Sequence, residues 1–341
     1  MKKIVIHSPG DHDKLKLEHG TIDDLKVNEV QVDVMYSGVN YADVCVRWGI
    51  YESAKKFIGW PITPGFEFSG VISKVHENSK FKVGDEVFGV SFFNGYSSKL
   101  NLPEHFVFKK PSSLSFEEAA CFPAVFLTAY HALFQNFIMR PRSNVLVHSA
   151  AGGVGSALVQ LLKQAGHNTV GVIGSSGKRE YLSSLNCDHI IDKSKEDLWK
   201  RAEEICPTGY DVILDANGVE TLRDSFNHLA PTGKLMVYGF HTMLPKSGRI
   251  NWPKLVWNYL RTPRFSPLEL TSANKSVMAF NLSFLFERFD ILLEGMEAMI
   301  KMLESGSIKG HRVTVFDASD VGHAHGHIES GKSVGKIALK W

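Results

Sequence analysis

The stretch from Asn144 to Ser175, NVLVHSAAGGVGSALVQLLKQAGHNTVGVIGS, limits the possible folds more than any other part of the chain. Its first residues, 144–148, form a short apolar run that is typical of a buried parallel strand. Small residues follow, and apolar residues then return at helical spacing until Gly166, which can end a helix. A second apolar run occupies Thr169–Ile173. The pattern predicts strand, glycine turn, helix and strand, which is the context of a dinucleotide-binding α/β unit.

The turn itself departs from the GxGxxG pattern at its first position. Ala150 replaces the first glycine, while Gly152 and Gly155 hold the other two places. Gly152 would let the backbone approach a pyrophosphate, and Gly155 would let the helix pack closely on the strand. The alternative is a tight turn that binds nothing, but the complete strand and helix context favours a cofactor. The expected contacts in the turn are Ala151, Gly152, Gly153, Val154 and Gly155.

The end of the second strand indicates which nicotinamide cofactor is used. An NAD site usually has an acidic residue about twenty positions past the glycines. Here that position falls at Gly174 or Ser175, and no carboxylate follows before Glu180. Hydroxyl and cationic side chains instead favour the extra phosphate of NADP, so NADPH is the expected cofactor. The candidate contacts are Ser175, Ser176, Lys178, Arg179 and, after the next apolar run, Lys193, which could equally be an ordinary solvated lysine.

Length, charge and cysteine spacing limit the class of protein. A chain of 341 residues with 44% hydrophobic and 22% charged residues predicts a globular protein of two domains. The net charge of +2 gives no general attraction to nucleic acid or to an anionic membrane. Four separated cysteines without CxxC spacing indicate free thiols in a reducing compartment. The first ten residues lack a signal-peptide core, and no apolar window is long enough for a membrane span, so the cytoplasm is expected.

The two parts of the chain differ in their secondary-structure signals. The first third predicts a small all-β unit with strands at Lys3–His7, Glu29–Ser37, Gly70–His76 and Glu86–Val90, and little helical periodicity before Phe116. Further strands are predicted at His189–Ile191, Asp211–Leu214, Gly233–Tyr238 and Val277–Phe280, followed by a helix at Phe289–Glu304 and a strand at Gly335–Lys340. The predicted domains are therefore residues 1–122 with 289–341, and residues 123–288.

Two further segments carry alternatives. The stretch 241–276 contains Trp252, Trp257, Tyr259 and Phe265 among basic residues, which fits an amphipathic flap, an oligomer contact or ordinary core packing. In VGHAHGH, His323 and His327 share one helical face while His325 points away, so a three-histidine metal site would need a non-helical backbone. A solvated helix face without metal is expected there.

Several motifs together resemble one family. GVNYADVCVRWGIY at Gly38–Tyr51, PGFEFSGVI at Pro64–Ile72, VGDEVFG at Val83–Gly89 and AAGGVG at Ala150–Gly155 resemble the medium-chain dehydrogenase/reductase superfamily over nearly the whole chain. Within it, the sequence is most similar to zinc-free quinone oxidoreductases and to the branch of the vesicle amine transport protein. The resemblance implies an α/β protein, with a Rossmann doubly wound parallel sheet and a GroES-like β-rich domain. It also implies an active site between the two domains and a homodimer.

The resemblance also implies how the reaction proceeds. Zinc-dependent relatives keep a cysteine and a histidine at the positions of Asn40 and Phe66, and neither residue is a suitable zinc ligand. Without a metal, hydride transfer from NADPH suits a quinone or an α,β-unsaturated carbonyl better than a simple ketone. Asn40 and Tyr51 are the candidate donors to the developing oxygen, Asp43 is expected to orient Asn40, and Glu67 is expected to be structural.

By the same resemblance, additional cofactor contacts are expected in the central domain, mostly where strands end. They are Thr128, Asn217, Tyr238, Gly239, Phe280 and Asn281. Two alternatives to the reductase stay open. One is a catalytically weak NADP(H)-binding protein that acts through a partner or a membrane surface, and the other is a zinc alcohol dehydrogenase.

Overall fold

A computed structural model describes residues 1–243 and 251–341, so residues 244–250 of the aromatic stretch lie outside the described residues. The chain forms two compact units. Residues 1–127 and 283–341 make up the terminal unit, and residues 128–282 make up the central unit. These boundaries differ by a few residues from the predicted ones at 122/123 and 288/289.

The helices and strands follow one another along the chain in three groups. The first group contains β1 (Lys2–Val5), β2 (Lys16–His19), β3 (Glu29–Val39), α1 (Tyr41–Arg47), α2 (Glu52–Phe57), β4 (Glu67–Lys74), β5 (Glu86–Val90), β6 (Lys99–Pro103), β7 (Val107–Lys109), α3 (Phe116–Ala120) and α4 (Pro123–Tyr130). The second contains β8 (Asn144–Val147), α5 (Gly153–Gln164), β9 (Asn168–Ile173), α6 (Arg179–Ser184), β10 (His189–Asp192), α7 (Leu198–Ile205), β11 (Tyr210–Asp215), α8 (Leu222–Asn227), β12 (Leu229–Val237), α9 (Trp252–Arg261), α10 (Pro267–Ala273) and β13 (Ser276–Ala279). The third contains α11 (Phe289–Glu304), β14 (Val313–Asp317), α12 (Val321–Glu329) and β15 (Lys336–Lys340).

The central unit is built on a parallel sheet with the strand order β10-β9-β8-β11-β12-β13. The order reverses between β8 and β11, which is the point where doubly wound sheets bind ligands beyond the carboxyl ends of their strands. Strands β8, β9 and β11 are almost entirely buried, as expected for a sheet covered on both faces. The predicted Rossmann architecture is confirmed.

The terminal unit contains a mainly antiparallel sheet in which the two ends of the chain meet. Its order is β14-β15-β3-β4-β5-β7, with β6 also paired to β3. The C-terminal strand β15 pairs with β3 from the start of the chain. The predicted GroES-like domain is confirmed, and the last strand belongs to it as expected.

The expectation that helices are nearly absent before Phe116 is wrong, because α1 and α2 lie there. These helices are seven and six residues long, which is less than two helical turns. A helical repeat of apolar residues therefore cannot be recognised in them. The sequence also does not predict the strands β2, β6, β7 and β14. They are only three to five residues long, so alternation of apolar residues is a weak signal in them.

Gly155 allows α5 to approach the preceding turn, and this close approach generates a prediction. A Cβ atom at Gly155 would lie 2.4 Å from the Ser149 carbonyl oxygen and 2.6 Å from the Ala150 Cα atom. We expect Gly155→Ala to lower the free energy of unfolding by about 1–3 kcal/mol, because the helix must move away from the strand. Urea denaturation measures this loss. Gly177→Ala is the matched control, since nothing lies within 4 Å of its added Cβ, and equal losses in both variants would contradict the prediction.

Candidate functional site

The glycine turn presents a helix N-terminus to solvent. Gly152 is the N-cap residue of α5, with extended backbone, and its amide donates to the Ser149 carbonyl at 2.9 Å. Ala150 is tied to the neighbouring strand through a 3.0 Å bond from its amide to the Val172 carbonyl. The first N–H groups of a helix have no intrahelical partners, and here Gly153 and Val154, which carry two of them, are partly exposed. This arrangement fits the phosphates of a dinucleotide.

The loop after β11 is fixed beside this turn. The Ser149 hydroxyl donates to the Asn217 side-chain oxygen at 2.9 Å, which brings the predicted contact Asn217 to the glycine turn. The fully buried Asp215 carboxylate accepts hydrogen bonds from the amides of Asn217 and Gly218 at 2.8 and 3.2 Å. Its other oxygen accepts from Thr221 at 2.7 Å. Asp215 therefore holds the loop rigidly at the carboxyl end of the sheet.

The remaining contacts predicted near strand ends lie in the central unit. Tyr238 and Gly239 follow β12, and the amide of Tyr238 donates to the Asp215 carbonyl at 3.1 Å. Burial raises the pKa of the Tyr238 hydroxyl, so that it stays protonated. Phe280 and Asn281 follow β13 directly. The Phe280 ring meets His131 edge to face, with 4.7 Å between ring centroids. Thr128 lies within α4.

The predicted phosphate-binding residues meet at the ends of β9 and β10. Ser175, Ser176 and Lys178 follow β9 and Lys193 follows β10. The Lys193 side chain passes close to Gly174, because a Cβ added there would lie 3.8 Å from Lys193 Cε. Lys193 is exposed.

A carboxylate that sequence reasoning misses lies among them. The Ser176 hydroxyl donates to the buried carboxylate of Asp192 at 2.5 Å. Hydrogen bonds from Ser176 and Ser194 lower the pKa of Asp192, so it is ionised. The Ser176 hydroxyl is thus engaged within the protein, and its contact with the 2′-phosphate stays a prediction. Counting forward from the glycines could not find Asp192, because it belongs to the next strand.

In the terminal unit, Asn40 is part of a buried polar cluster. Its Nδ2 donates to Glu67 Oε1 at 2.8 Å, and its Oδ1 accepts from Lys336 Nζ at 2.7 Å. Lys336 also donates to Glu67 Oε1 and to the Val39 carbonyl, both at 2.8 Å. Glu67 and Lys336 are 0% and 4% exposed. We name Asn40, Glu67 and Lys336 the amide cluster. Sequence reasoning misses Lys336, because it lies almost at the opposite end of the chain.

Gly38 makes room for this cluster. A Cβ atom at that position would lie 2.4 Å from Glu67 Oε1 and 2.4 Å from the Ala120 carbonyl oxygen. The second oxygen of Glu67 accepts a 2.8 Å hydrogen bond from the Ala124 amide. Each oxygen of the buried carboxylate therefore has a donor, as a charge removed from water requires.

Asp43 contacts the backbone on either side of the cluster. Asp43 Oδ2 accepts from the backbone N–H of Asn40 at 2.8 Å and from the Tyr96 hydroxyl at 3.2 Å. Asp43 Oδ1 accepts from the backbone N–H of Gly65 at 2.9 Å. Burial raises the pKa of Asp43 to about 7, although these hydrogen bonds and the Lys336 charge act in the opposite direction.

A polar network continues from Tyr96 toward α12. The Tyr96 hydroxyl lies 3.2 Å from His325 Nε2, and Arg47 Nη1 lies 3.3 Å from His325 Nδ1. Arg47 also donates to Glu329 at 2.7 Å. His12, which is partly exposed, lies 2.6 Å from the same carboxylate. The network thus runs from a buried aspartate to a histidine at the surface.

His325 does not share the exposed face of α12, as its helical spacing predicts. That residue is 0% exposed, whereas the His323 side chain is 85% exposed. Burial, and the nearby Arg47 charge, lower the pKa of His325 well below its ordinary value. Among residues 1–243 and 251–341, no group of three His, Cys, Asp or Glu side chains could hold a metal ion.

Tyr51 and Phe66 belong to an aromatic group rather than to a ligand set. Tyr51 is the N-cap residue of α2 and is partly buried, and its ring lies edge-on to Phe66 at 5.8 Å between centroids. Phe66 is 6% exposed and also packs against Phe93 at 4.9 Å. Because Phe66 directly precedes Glu67, this aromatic group lies next to the amide cluster in sequence.

The two positions where zinc-dependent relatives keep metal ligands do not fit zinc here. Phe66 has no donor atom, and both ends of the Asn40 amide are already bonded. The buried Lys336 ammonium, 2.7 Å from Asn40 Oδ1, would also repel a divalent cation at this place.

The helix α9 carries apolar side chains that face solvent. Trp252, Trp257 and Tyr259 are 60%, 59% and 70% exposed. Phe265, in contrast, packs against the Phe226 ring at 5.0 Å between centroids, so it is ordinary packing. Within the part of the chain that the structure describes, no helix has both the length and the apolar character needed to cross a membrane.

Comparison with known proteins agrees with this geometry. A family profile for an alcohol dehydrogenase GroES-like domain matches residues 26–128, and one for a zinc-binding dehydrogenase matches residues 153–268. The chain is 33% identical over 340 residues to the synaptic vesicle membrane protein VAT-1 homolog of Danio rerio, covering 99% of this chain and 69% of that protein.

Two solved structures resemble the whole chain. The Escherichia coli quinone oxidoreductase complexed with NADPH matches with a TM-score of 0.85 and 26% identity, covering 100% of both chains. The CurK enoyl reductase matches with a TM-score of 0.84 and 28% identity, covering 99% of this chain and 98% of that one.

The burial of neutral His325 generates a prediction about pH. A histidine whose folded pKa is lowered stabilises the fold above its ordinary pKa of 6.5, and this contribution is lost as the pH falls below that value. In this acidic range we expect His325→Gln to reduce the pH dependence of the unfolding free energy by up to about 1.4 kcal/mol per pH unit, the value for one proton. Urea unfolding at several pH values measures this slope.

His323→Gln is the control, because it changes an exposed side chain on the same helix. We expect it to leave the slope unchanged. Equal slopes for His325→Gln and the unchanged chain would contradict the prediction.

Proposed function

Because this chain belongs to the medium-chain dehydrogenase/reductase superfamily, close to the VAT-1 homologues, we propose that it is an NADPH-dependent reductase. Its proposed substrates are quinones or α,β-unsaturated carbonyl compounds, reduced without zinc. The observation that carries the proposal is the amide cluster, which holds an N–H donor where zinc-dependent relatives hold a metal ligand.

The central unit supports NADPH as the cofactor. The N-terminus of α5 would hold the pyrophosphate, and Asn217 would hold the nicotinamide half through the loop that Asp215 fixes. Lys193, Lys178 and Ser175 would hold the 2′-phosphate, since Ser176 is engaged by Asp192. The E. coli quinone oxidoreductase, whose structure is described as complexed with NADPH, is similar over its full length.

The terminal unit supports the choice of acceptor. Bound NADPH supplies a hydride, which carries two electrons, and a proton from solvent completes the reduction of the acceptor. Conjugated carbonyls spread the resulting negative charge, so hydrogen bonding can replace a metal ion. Asn40 would donate to the developing oxygen, Asp43 would hold the Asn40 backbone, and Tyr51 would be a second donor beside the aromatic group.

A second candidate function is favoured by α9. The exposed Trp252, Trp257 and Tyr259, together with the exposed Lys254 and Arg261, form a surface that fits a partner or an anionic membrane. The VAT-1 homolog is described as a synaptic vesicle membrane protein. In this alternative, the chain binds NADP(H) and turns over little or no substrate.

The remaining properties are proposals from family resemblance. We propose a homodimer in the cytoplasm with no nucleic-acid partner, and the domain boundaries given by the two compact units. Sedimentation of the purified chain tests the assembly.

The two candidate functions predict different results in an NADPH oxidation screen. The reductase should oxidise NADPH with 9,10-phenanthrenequinone or a simple enone, and a chelator should not reduce the rate. NADPH binding without turnover across a broad panel would contradict the reductase and favour the second candidate. Replacing Trp252 and Trp257 with serine should then abolish vesicle or partner binding and leave NADPH binding unchanged.

Lys193 provides a test of cofactor choice. We expect Lys193→Gln to weaken NADPH binding about five- to tenfold and to leave NADH binding unchanged, because only NADPH has the 2′-phosphate. Titration calorimetry measures both constants. Lys195→Gln is the matched control, since Lys195 is exposed two residues further on. Equal weakening of NADPH and NADH binding would contradict this role of Lys193.

A further inference from the structure

The three hydrogens of the Lys336 ammonium are all used. They are donated to the Val39 carbonyl, to Asn40 Oδ1 and to Glu67 Oε1, at 2.8, 2.7 and 2.8 Å. An ammonium group has three donors and no acceptor, so this set of contacts is complete. The lysine is 4% exposed and is thus fixed among these partners.

We propose that Lys336 is a positioning residue that fixes which end of the Asn40 amide is available for chemistry. The positive ammonium contacts the amide oxygen, and the negative Glu67 carboxylate contacts the amide nitrogen. Turning the amide over would place N–H groups against the ammonium and oxygen against the carboxylate. Both of these contacts would be repulsive, because charges in a buried place are poorly screened.

The fixed orientation leaves a donor rather than an acceptor available. The Asn40 Nδ2 group has two hydrogens, and one of them is donated to Glu67. The other can be donated to the oxygen of an acceptor, which is the role that the proposed function requires. The inference therefore rests on the proposed function for its catalytic consequence, but the orientation itself can be tested on the protein alone.

Hydrogen bonding to Lys336 also strengthens this donor. A cation bonded to the amide oxygen polarises the amide, so the remaining N–H carries more positive charge. Lys336 does this without contacting the acceptor, since each of its hydrogens is engaged within the protein. It thus acts through Asn40 and is not itself a catalytic residue.

The first test replaces the lysine by a neutral side chain of similar length. In Lys336→Met, no cation holds the Asn40 amide oxygen, so the amide can turn over. We expect kcat to fall at least about tenfold relative to the unchanged chain, because the fixed donor is lost. The KM for NADPH should change less than about twofold.

A merely structural lysine would give a different result. Its loss would lower the melting temperature and leave the kcat of the folded protein within about twofold of the unchanged chain, and this outcome would overturn the proposal. Lys110→Met is the matched control, because Lys110 is also a largely buried lysine of the terminal unit, paired with Glu86 at 3.1 Å. It should leave kcat within about twofold of the unchanged chain.

The second test needs no turnover. Chains labelled with ¹⁵N-asparagine give side-chain NH₂ signals, and the Asn40 pair is assigned by its loss in Asn40→Asp. Spectra are compared at one pH. We expect one Asn40 side-chain proton of the unchanged chain to lie downfield of the other, because it is donated to the Glu67 carboxylate, and we expect Lys336→Met to lose this single pattern as the amide turns over. The same Asn40 pattern in both chains would overturn the proposal. If the unchanged chain reduces no acceptor, the proposed function fails, and these spectra still decide the orientation.

A third variant covers the case in which Lys336→Met does not fold. Lys336→Met combined with Glu67→Gln removes both charges, and loss of a complete buried pair is often tolerated. The side chain at position 67 is then a neutral amide, which can bond to either the oxygen or the nitrogen of the Asn40 amide. The kcat should therefore fall about tenfold at every pH. A double variant with unchanged kcat would overturn the proposal.

Discussion

The buried ammonium of Lys336 is the interaction on which the terminal unit and its site depend. It joins β15 to the end of β3 and the start of β4, contacts that span 297 and 269 residues of sequence. A charge removed from water is tolerated only when its partners are complete. The same contacts that attach the end of the chain to its first domain therefore also fix the Asn40 amide, so closure of the domain and assembly of the site are one event.

Two buried titratable groups near this cluster respond to pH in opposite directions. Burial raises the pKa of Asp43 to about 7, so its protonated form is favoured and stability is lost as the pH rises toward that value. His325 is favoured as the neutral form, and its contribution is lost as the pH falls below 6.5. Tyr96 lies between them and bonds to both. The two groups therefore belong to one hydrogen-bonded chain.

The sequence could predict those parts of the fold that depend on local patterns. The glycine turn, the strands beside it and the absence of a carboxylate at Ser175 follow from residues close together in the chain. Asp192 and Lys336 could not be found in this way. Asp192 bonds to Ser176, which follows the neighbouring strand β9, and Lys336 bonds to Asn40, near the opposite end of the chain. Local spacing separates His325 from His323 and His327. It does not reveal the buried partners of His325, Tyr96 and Arg47, because they are more than two hundred residues away.

The composition of the amide cluster argues for chemistry rather than for stability alone. A buried ion pair can often be replaced by apolar side chains of similar volume without loss of stability. A charged pair is formed here by Lys336 and Glu67, and Gly38 leaves room for it because a side chain at that position would collide with Glu67. An apolar cluster would suffice for folding. What the charged pair adds is a single orientation of one amide. A protein that only binds NADP(H) has no use for that orientation, whereas a reductase needs a fixed donor for the oxygen that becomes negatively charged.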